Sequence, residues 1–216
     1  ALAGSLVAGS VSAATLGVSG GASLTFSGGD DKKTQGNGWS MGDSVTFSAS
    51  GDVNDIGVTL SLELDGDAAD GTNQLDSQSI TFDLGDAGTL IFAGHGGSSA
   101  MSAVDDVMPT AYEEPWDVVT GADSSIINGH SGNNMFTYKY SHDSGVNLTL
   151  AYINAADAVT DVSYSDVGIS YTGVEGLTIG YAEGNVEQTA LTESDEHTLY
   201  ATYAMGAMTV GVQTSE

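Results

Sequence analysis

The chain of 216 residues carries 29 acidic side chains against three lysines and no arginine, a formal net charge of -26. A chain this acidic repels nucleic acid, and without cysteine it has neither a disulfide framework nor a thiolate nucleophile. At 40% hydrophobic residues it is too apolar for an acidic disordered tail, and its length suits one large all-β domain or part of one.

The first segment, "ALAGSLVAGSVSAA", is a short run of Ala, Leu, Val, Gly and Ser ending in small residues. It is too short to span a membrane as a helix and suits the end of a secretory signal peptide, residues 1–13, cut near Ala13 or Ala14. On that reading the chain is truncated at this end and the protein is exported. The alternative is an ordinary first strand or a flexible end. No other segment has the length of apolar sequence a membrane helix needs.

From there the chain alternates with a period of two. Val45, Phe47 and Ala49 alternate with Thr46, Ser48 and Ser50, and Val58, Leu60, Leu62 and Leu64 with Thr59, Ser61 and Glu63. Ile80, Phe82 and Leu84 follow, then Phe136, Tyr138 and Tyr140, then Leu148, Leu150 and Tyr152. Val167, Ile169 and Tyr171 continue the series, with Leu177, Ile179 and Tyr181, then Leu199, Ala201 and Tyr203, less cleanly because Tyr200 sits on the other face, and last Val210 and Val212. Period two over such lengths predicts half-buried strands long enough to cross a membrane at a tilt, and no helical period competes.

The connections alternate as well. "GDVNDIG", "LGDAGT", "SHDSGV", "TGVEGL" and "AMGA" are short and bear glycine. Between them lie longer polar stretches: "SGGDDKKTQGNGWSMGD", "DGDAADGTNQLDSQ", His95 to Asn133, "NAADAVTDVS" and "GNVEQTALTESDE". Tight turns on one rim and loops on the other are the asymmetry of an antiparallel up-and-down transmembrane β-barrel. Positions between the apolar ones are Thr, Ser, Gly and Asn, nearly free of Lys and Arg, which suits a water-filled lumen with the apolar face turned to lipid. Six tyrosines (138, 140, 152, 171, 181 and 203) fall near strand ends, where an interfacial aromatic girdle would lie.

"DGDAADG", Asp65 to Gly71, fails the EF-hand pattern, because Ala69 and Asp70 stand where an acid and a glycine are required. A looser calcium site among Asp30, Asp31, Asp65, Asp67 and Asp70 competes with the plainer reading of solvated acidic outer loops. The four histidines (95, 130, 142 and 197) lack metal spacing, no G-x-S-x-G elbow occurs, and "GHGG" lacks a strand–helix setting, so no enzyme, cofactor or metal is expected.

Four stretches, "ALAGSLVA", "VSGGASLTF", "WSMGDSVTFSASGDVNDIGVTLSLEL" and "SITFDLGDAGTLIFAGHGG", together resemble the general porins of alphaproteobacteria, notably marine members. The resemblance runs from Ala1 to about Ser215, and its most specific piece is "FDLGDAGTLIFAG". It implies a homotrimer of outer-membrane barrels of about sixteen strands, whose third long loop folds into the lumen and narrows it. The loop from His95 to Asn133 then carries the constriction, with Asp105, Asp106, Glu113, Glu114 and Asp117 as its acids. In such porins the acids face a basic cluster on the barrel wall, for which Lys139, on the polar face of its strand, is the candidate here. About eleven strands are counted and the family's terminal aromatic strand is missing. The expectation is therefore a barrel domain over residues 14–216 that is incomplete at its C-terminus.

The function expected is passive diffusion of small hydrophilic solutes and ions across the bacterial outer membrane, in contact with its lipid. Cations are preferred, because carboxylates in a narrow aperture draw cations and repel anions. The competing reading is a secreted soluble β-sandwich, adhesin-like or lectin-like, with calcium in its acidic loops. A soluble domain buries Leu60, Phe82, Leu150 and Ile179 in one core; a barrel turns them outward and keeps Thr59, Thr81, Thr149 and Thr178 inside.

Overall fold

The computed structural model describes residues 15–26, 39–66, 74–104, 107–109, 132–154, 162–188 and 192–215. Among the described residues, eleven strands run in chain order through one antiparallel up-and-down sheet. They are β1 (Thr15–Phe26), β2 (Trp39–Val53), β3 (Ile56–Asp65), β4 (Leu75–Asp83), β5 (Thr89–His95), β6 (Met135–Ser141), β7 (Val146–Ile153), β8 (Val162–Val174), β9 (Leu177–Gln188), β10 (Thr192–Met205) and β11 (Met208–Ser215). The described residues hold no α-helix, only single 3-10 turns at Gly85–Ala87 and Ser102–Val104. The all-β up-and-down architecture expected from the alternation is the one observed, and the described residues hold the eleven strands counted. Residues 1–13, expected to be the end of a signal peptide, lie outside the described residues. The chain divides into two compact units, residues 1–82 and 83–216.

In the first unit β1 pairs with β2 and β2 with β3. The register puts Leu16, Val18, Leu24 and Phe26 on the same face as Trp39, Met41, Val45 and Phe47, and the same face of β3 carries Ile56, Leu60 and Leu64. All of these large apolar side chains are exposed. The opposite face carries Ser44, Thr46, Ser48, Thr59, Ser61 and Glu63. The ladder reaches further than the alternation indicated: Phe26 and Trp39 pair, their ring centroids 4.8 Å apart, so the connection after β1 is shorter than its polar composition implied.

The turn between β2 and β3 is two residues long, with Asn54 at φ 51° and Asp55 at φ 65°. Positive φ at both central positions is the hairpin geometry whose twist matches its strands, and Asn and Asp tolerate it better than most residues. Glycine removes the remaining strain. We predict that Asp55→Gly raises the stability of the refolded protein by up to about 1 kcal/mol, read as a higher urea midpoint; a lower midpoint contradicts the turn geometry.

In the second unit β5 to β11 pair in unbroken succession. One face carries Phe136, Leu150, Tyr152, Val167, Ile169, Tyr171, Ile179, Leu199, Tyr203, Val210 and Val212, all exposed. The six tyrosines expected in a girdle share this face, as their register partners show. The other face is built mostly from small and polar residues and holds the sheet's buried ones: Ala93, Thr137, Ala151, Asp166, Ala182 and Thr198, together with the larger Met135, Tyr164 and Tyr200. Tyr200 lies on the opposite face from Leu199 and Ala201, as the alternation placed it, and is buried, because Gly180 opposite it leaves room for the ring. One difference from the alternation stands out. The ladder between β9 and β10 continues to Gln188 and Thr192, leaving only residues 189–191 between the strands where a long loop was expected. Backbone pairing does not need apolar side chains, so the period faded before the strands ended.

Candidate functional site

Across the second unit, cross-strand partners define rows on the polar face. One row runs Thr89, Lys139, Thr149, Gly168, Ala182, Thr198, Ser215, one residue from each strand β5 to β11. A second runs Ser141, Asn147, Ser170, Gly180, Tyr200, Gln213. These are hydroxyl, amide and small side chains. Lys139 is on this face and exposed, as its place in the alternation predicted.

Against this wall lies the root of the long connection after β5. Gly97 and Gly132 close its base with reciprocal backbone hydrogen bonds of 3.0 and 3.1 Å. Ser99 and Ser102 then exchange hydrogen bonds, the Ser99 amide donating to Ser102 Oγ at 2.7 Å and the Ser102 amide to Ser99 Oγ at 3.1 Å. That reciprocal pair, of the capping-box kind, starts the 3-10 turn Ser102–Val104.

The wall holds the root at every third residue. Thr137 Oγ1 donates to the Ser98 carbonyl at 3.1 Å, the Met101 amide donates to Asp166 Oδ2 at 2.8 Å, and Gln213 Nε2 donates to the Val104 carbonyl at 3.0 Å. Met101 and Val104 pack on Ala182 and Tyr200, with Val107 and Met108 beside them. Small wall residues permit the close approach. A Cβ on Gly168 would stand 2.7 Å from Ala100 Cβ, and one on Gly211 2.7 Å from Pro109 Cδ.

Of the expected constriction residues, Asp105, Asp106, Glu113, Glu114 and Asp117 lie outside the described residues. Lys139 and the loop root meet the same row: Lys139 on β6, and Gly168, beneath Ala100, on β8. Two strand spacings separate them, roughly 10 Å. Asp166, Gln213 and the glycine floor were not singled out from the sequence. Of the acids in the calcium reading, Asp30, Asp31, Asp67 and Asp70 lie outside the described residues, which hold no group of three or more His, Asp or Glu placed for a metal ion.

The apolar face decides between the two architectures. Leu60, Leu150 and Ile179 are 50%, 40% and 42% exposed, and only Phe82 of the four marker residues is more covered. Thr59, Thr81, Thr149 and Thr178 stay partly covered. Among the described residues no core gathers the apolar stripe; what is buried lies on the opposite face, in one cluster of Met101, Val104, Ala182 and Tyr200 and another of Met135, Ala151 and Tyr164.

No protein-family model matches the sequence, and no curated protein matches it. Solved structures do. A loop-deletion mutant of OmpT, an outer membrane protein of Vibrio cholerae, superimposes with a TM-score of 0.60 at 15% identity, over 94% of this chain and 69% of that one. A triple mutant of the Rhodopseudomonas blastica porin aligns over 94% of this chain and 84% of its own at 16% identity, but its TM-score of 0.48 is too low to bear on the chain. The first likeness establishes the fold: that of an outer-membrane β-barrel protein.

Proposed function

We propose that the chain forms the wall of a bacterial outer-membrane channel that passes small hydrophilic solutes and ions by diffusion, with cations preferred. The observation that carries this reading is the inversion of the sheet. Its apolar stripe is exposed, and the polar, small-residue face is the one that packs against a loop. In water such a stripe is an aggregation hazard; in a bilayer it is the lipid-facing band of a barrel. The polar face supplies the lumen, where hydroxyl and amide groups replace part of a solute's hydration without binding it tightly.

The charge filter rests on two features. The chain's net charge is -26. The long loop, whose root sits on the lumen wall, carries Asp105, Asp106, Glu113, Glu114 and Asp117 in its sequence, with Lys139 as the wall cation opposite. No catalytic step, cofactor or calcium ion enters the reading. The resemblance to alphaproteobacterial general porins adds the proposal of a homotrimer in the membrane.

The test is a planar-bilayer recording with the refolded protein under a potassium chloride gradient. Discrete conductance steps with a reversal potential on the cation side are expected. Steps with anion preference overturn the charge filter alone. A monodisperse detergent-free protein that yields no steps returns the chain to the secreted soluble class.

A further inference from the structure

Asp166 stands out on the polar face. It is 7% exposed, on the inner side of β8, with Ala151 and Gly184 as its cross-strand neighbours. Its Oδ2 accepts from the Met101 amide at 2.8 Å and from the Tyr164 hydroxyl at 2.8 Å. Tyr164 also makes a side-chain hydrogen bond with Ser99, so the carboxylate and the phenol together hold both ends of the segment Ser99–Met101. Asp166 Oδ1 is buried and has no hydrogen-bond partner among the described residues.

The strand does not require an acid here. Its other inner residues nearby are the uncharged Tyr164, Gly168 and Ser170, and burying a carboxylate with one oxygen unsatisfied is costly. What the carboxylate gains is a charge-assisted bond to a loop amide 65 residues earlier in the chain. The small neighbours Ala151 and Gly184 leave space above the strand, and a Cβ on Gly184 would come within 2.9 Å of Met101 Cγ. Thr137 and Gln213 flank this contact on β6 and β11.

We propose that Asp166 is the positioning residue of the channel: through the Met101 amide it fixes the root of the long loop on the lumen wall and thereby sets the conductance. The role rests on the channel reading above. Asp166 acts through the loop and is not itself a charge exposed to passing ions.

The chain has no cysteine, so introduced thiols report without background. Spin labels at Ala103→Cys, on the exposed side of the root, and Glu175→Cys, in the exposed turn after β8, give one narrow distance in the parent. Asp166→Ala broadens it. Asp166→Leu, which fills the site without an acceptor oxygen, does the same and guards against a folding defect caused by the cavity. Asp166→Asn keeps an acceptor and restores the narrow distance. In bilayers the first two variants change the unitary conductance and raise open-channel noise, and the third matches the parent. A narrow distance retained in both Asp166→Ala and Asp166→Leu overturns the assignment. A shifted reversal potential in Asp166→Asn makes the residue a pore charge instead, which also overturns it. If the distances behave as stated and the parent conducts nothing, the positioning role stands and the channel reading falls.

Discussion

Arginine at Leu150 prevents insertion of the protein into lipid bilayers, while arginine one residue away at Thr149 does not. Leu150 lies on the exposed apolar face, between Tyr138 on β6 and Val167 on β8. On the lipid face near the bilayer centre an arginine costs about 2–4 kcal/mol, falling toward zero at the interfaces. That is a large fraction of the stability of a folded domain. Thr149 is on the opposite face, in the row that contains Lys139 and Gly168. Arginine there meets water, so folding into vesicles proceeds, and the added positive charge moves the reversal potential toward anions. Equal folding losses in the two variants contradict the assignment of faces. The reverse order, with Thr149→Arg the more damaging, would mean that the polar side is the dry one.

The second large effect belongs to Gly168. A Cβ there stands 2.7 Å from Ala100 Cβ, closer than two carbons approach, and Gly168→Val adds two further methyl groups. Overpacking of this kind costs about 1–3 kcal/mol. Here the cost falls on the weaker partner: the wall is held by ladders to β7 and β9, the root by a few hydrogen bonds and side-chain contacts. The loop root therefore lifts from the wall while the barrel folds, and the unitary conductance changes. Gly21→Val in β1 is the control, because a Cβ at Gly21 meets nothing within 4 Å. Unchanged conductance in Gly168→Val, with folding intact, contradicts the docking of the root.

The strands were legible because their information is local. Leu148, Leu150 and Tyr152 repeat at the strand's own period, so the alternation marked both the element and its apolar face. Lys139 was placed on the polar face by the same count. The positive-φ turn at Asn54 and Asp55 was legible as a short polar link between apolar runs, though its two-residue form was not. Asp166 was not legible as an anchor, since in sequence it is one more polar residue on a polar face. Its partner Met101 is 65 residues away, and only the chain's return brings them together. The same applies to Gly168 and Gly211, which read as ordinary lumen glycines until Ala100 and Pro109 are seen above them. Tyr200 was placed inward by the same count of two; the space over Gly180 that lets its ring be buried there was not legible.

On the channel reading the Thr149 face is wet and the Leu150 face is in lipid. This is tested most directly by adding a charged, membrane-impermeant thiol reagent during bilayer recording of Thr149→Cys and Leu150→Cys, in a chain that has no cysteine of its own. A stepwise fall in current is expected for Thr149→Cys and an unchanged current for Leu150→Cys. A step with Leu150→Cys and none with Thr149→Cys would contradict it.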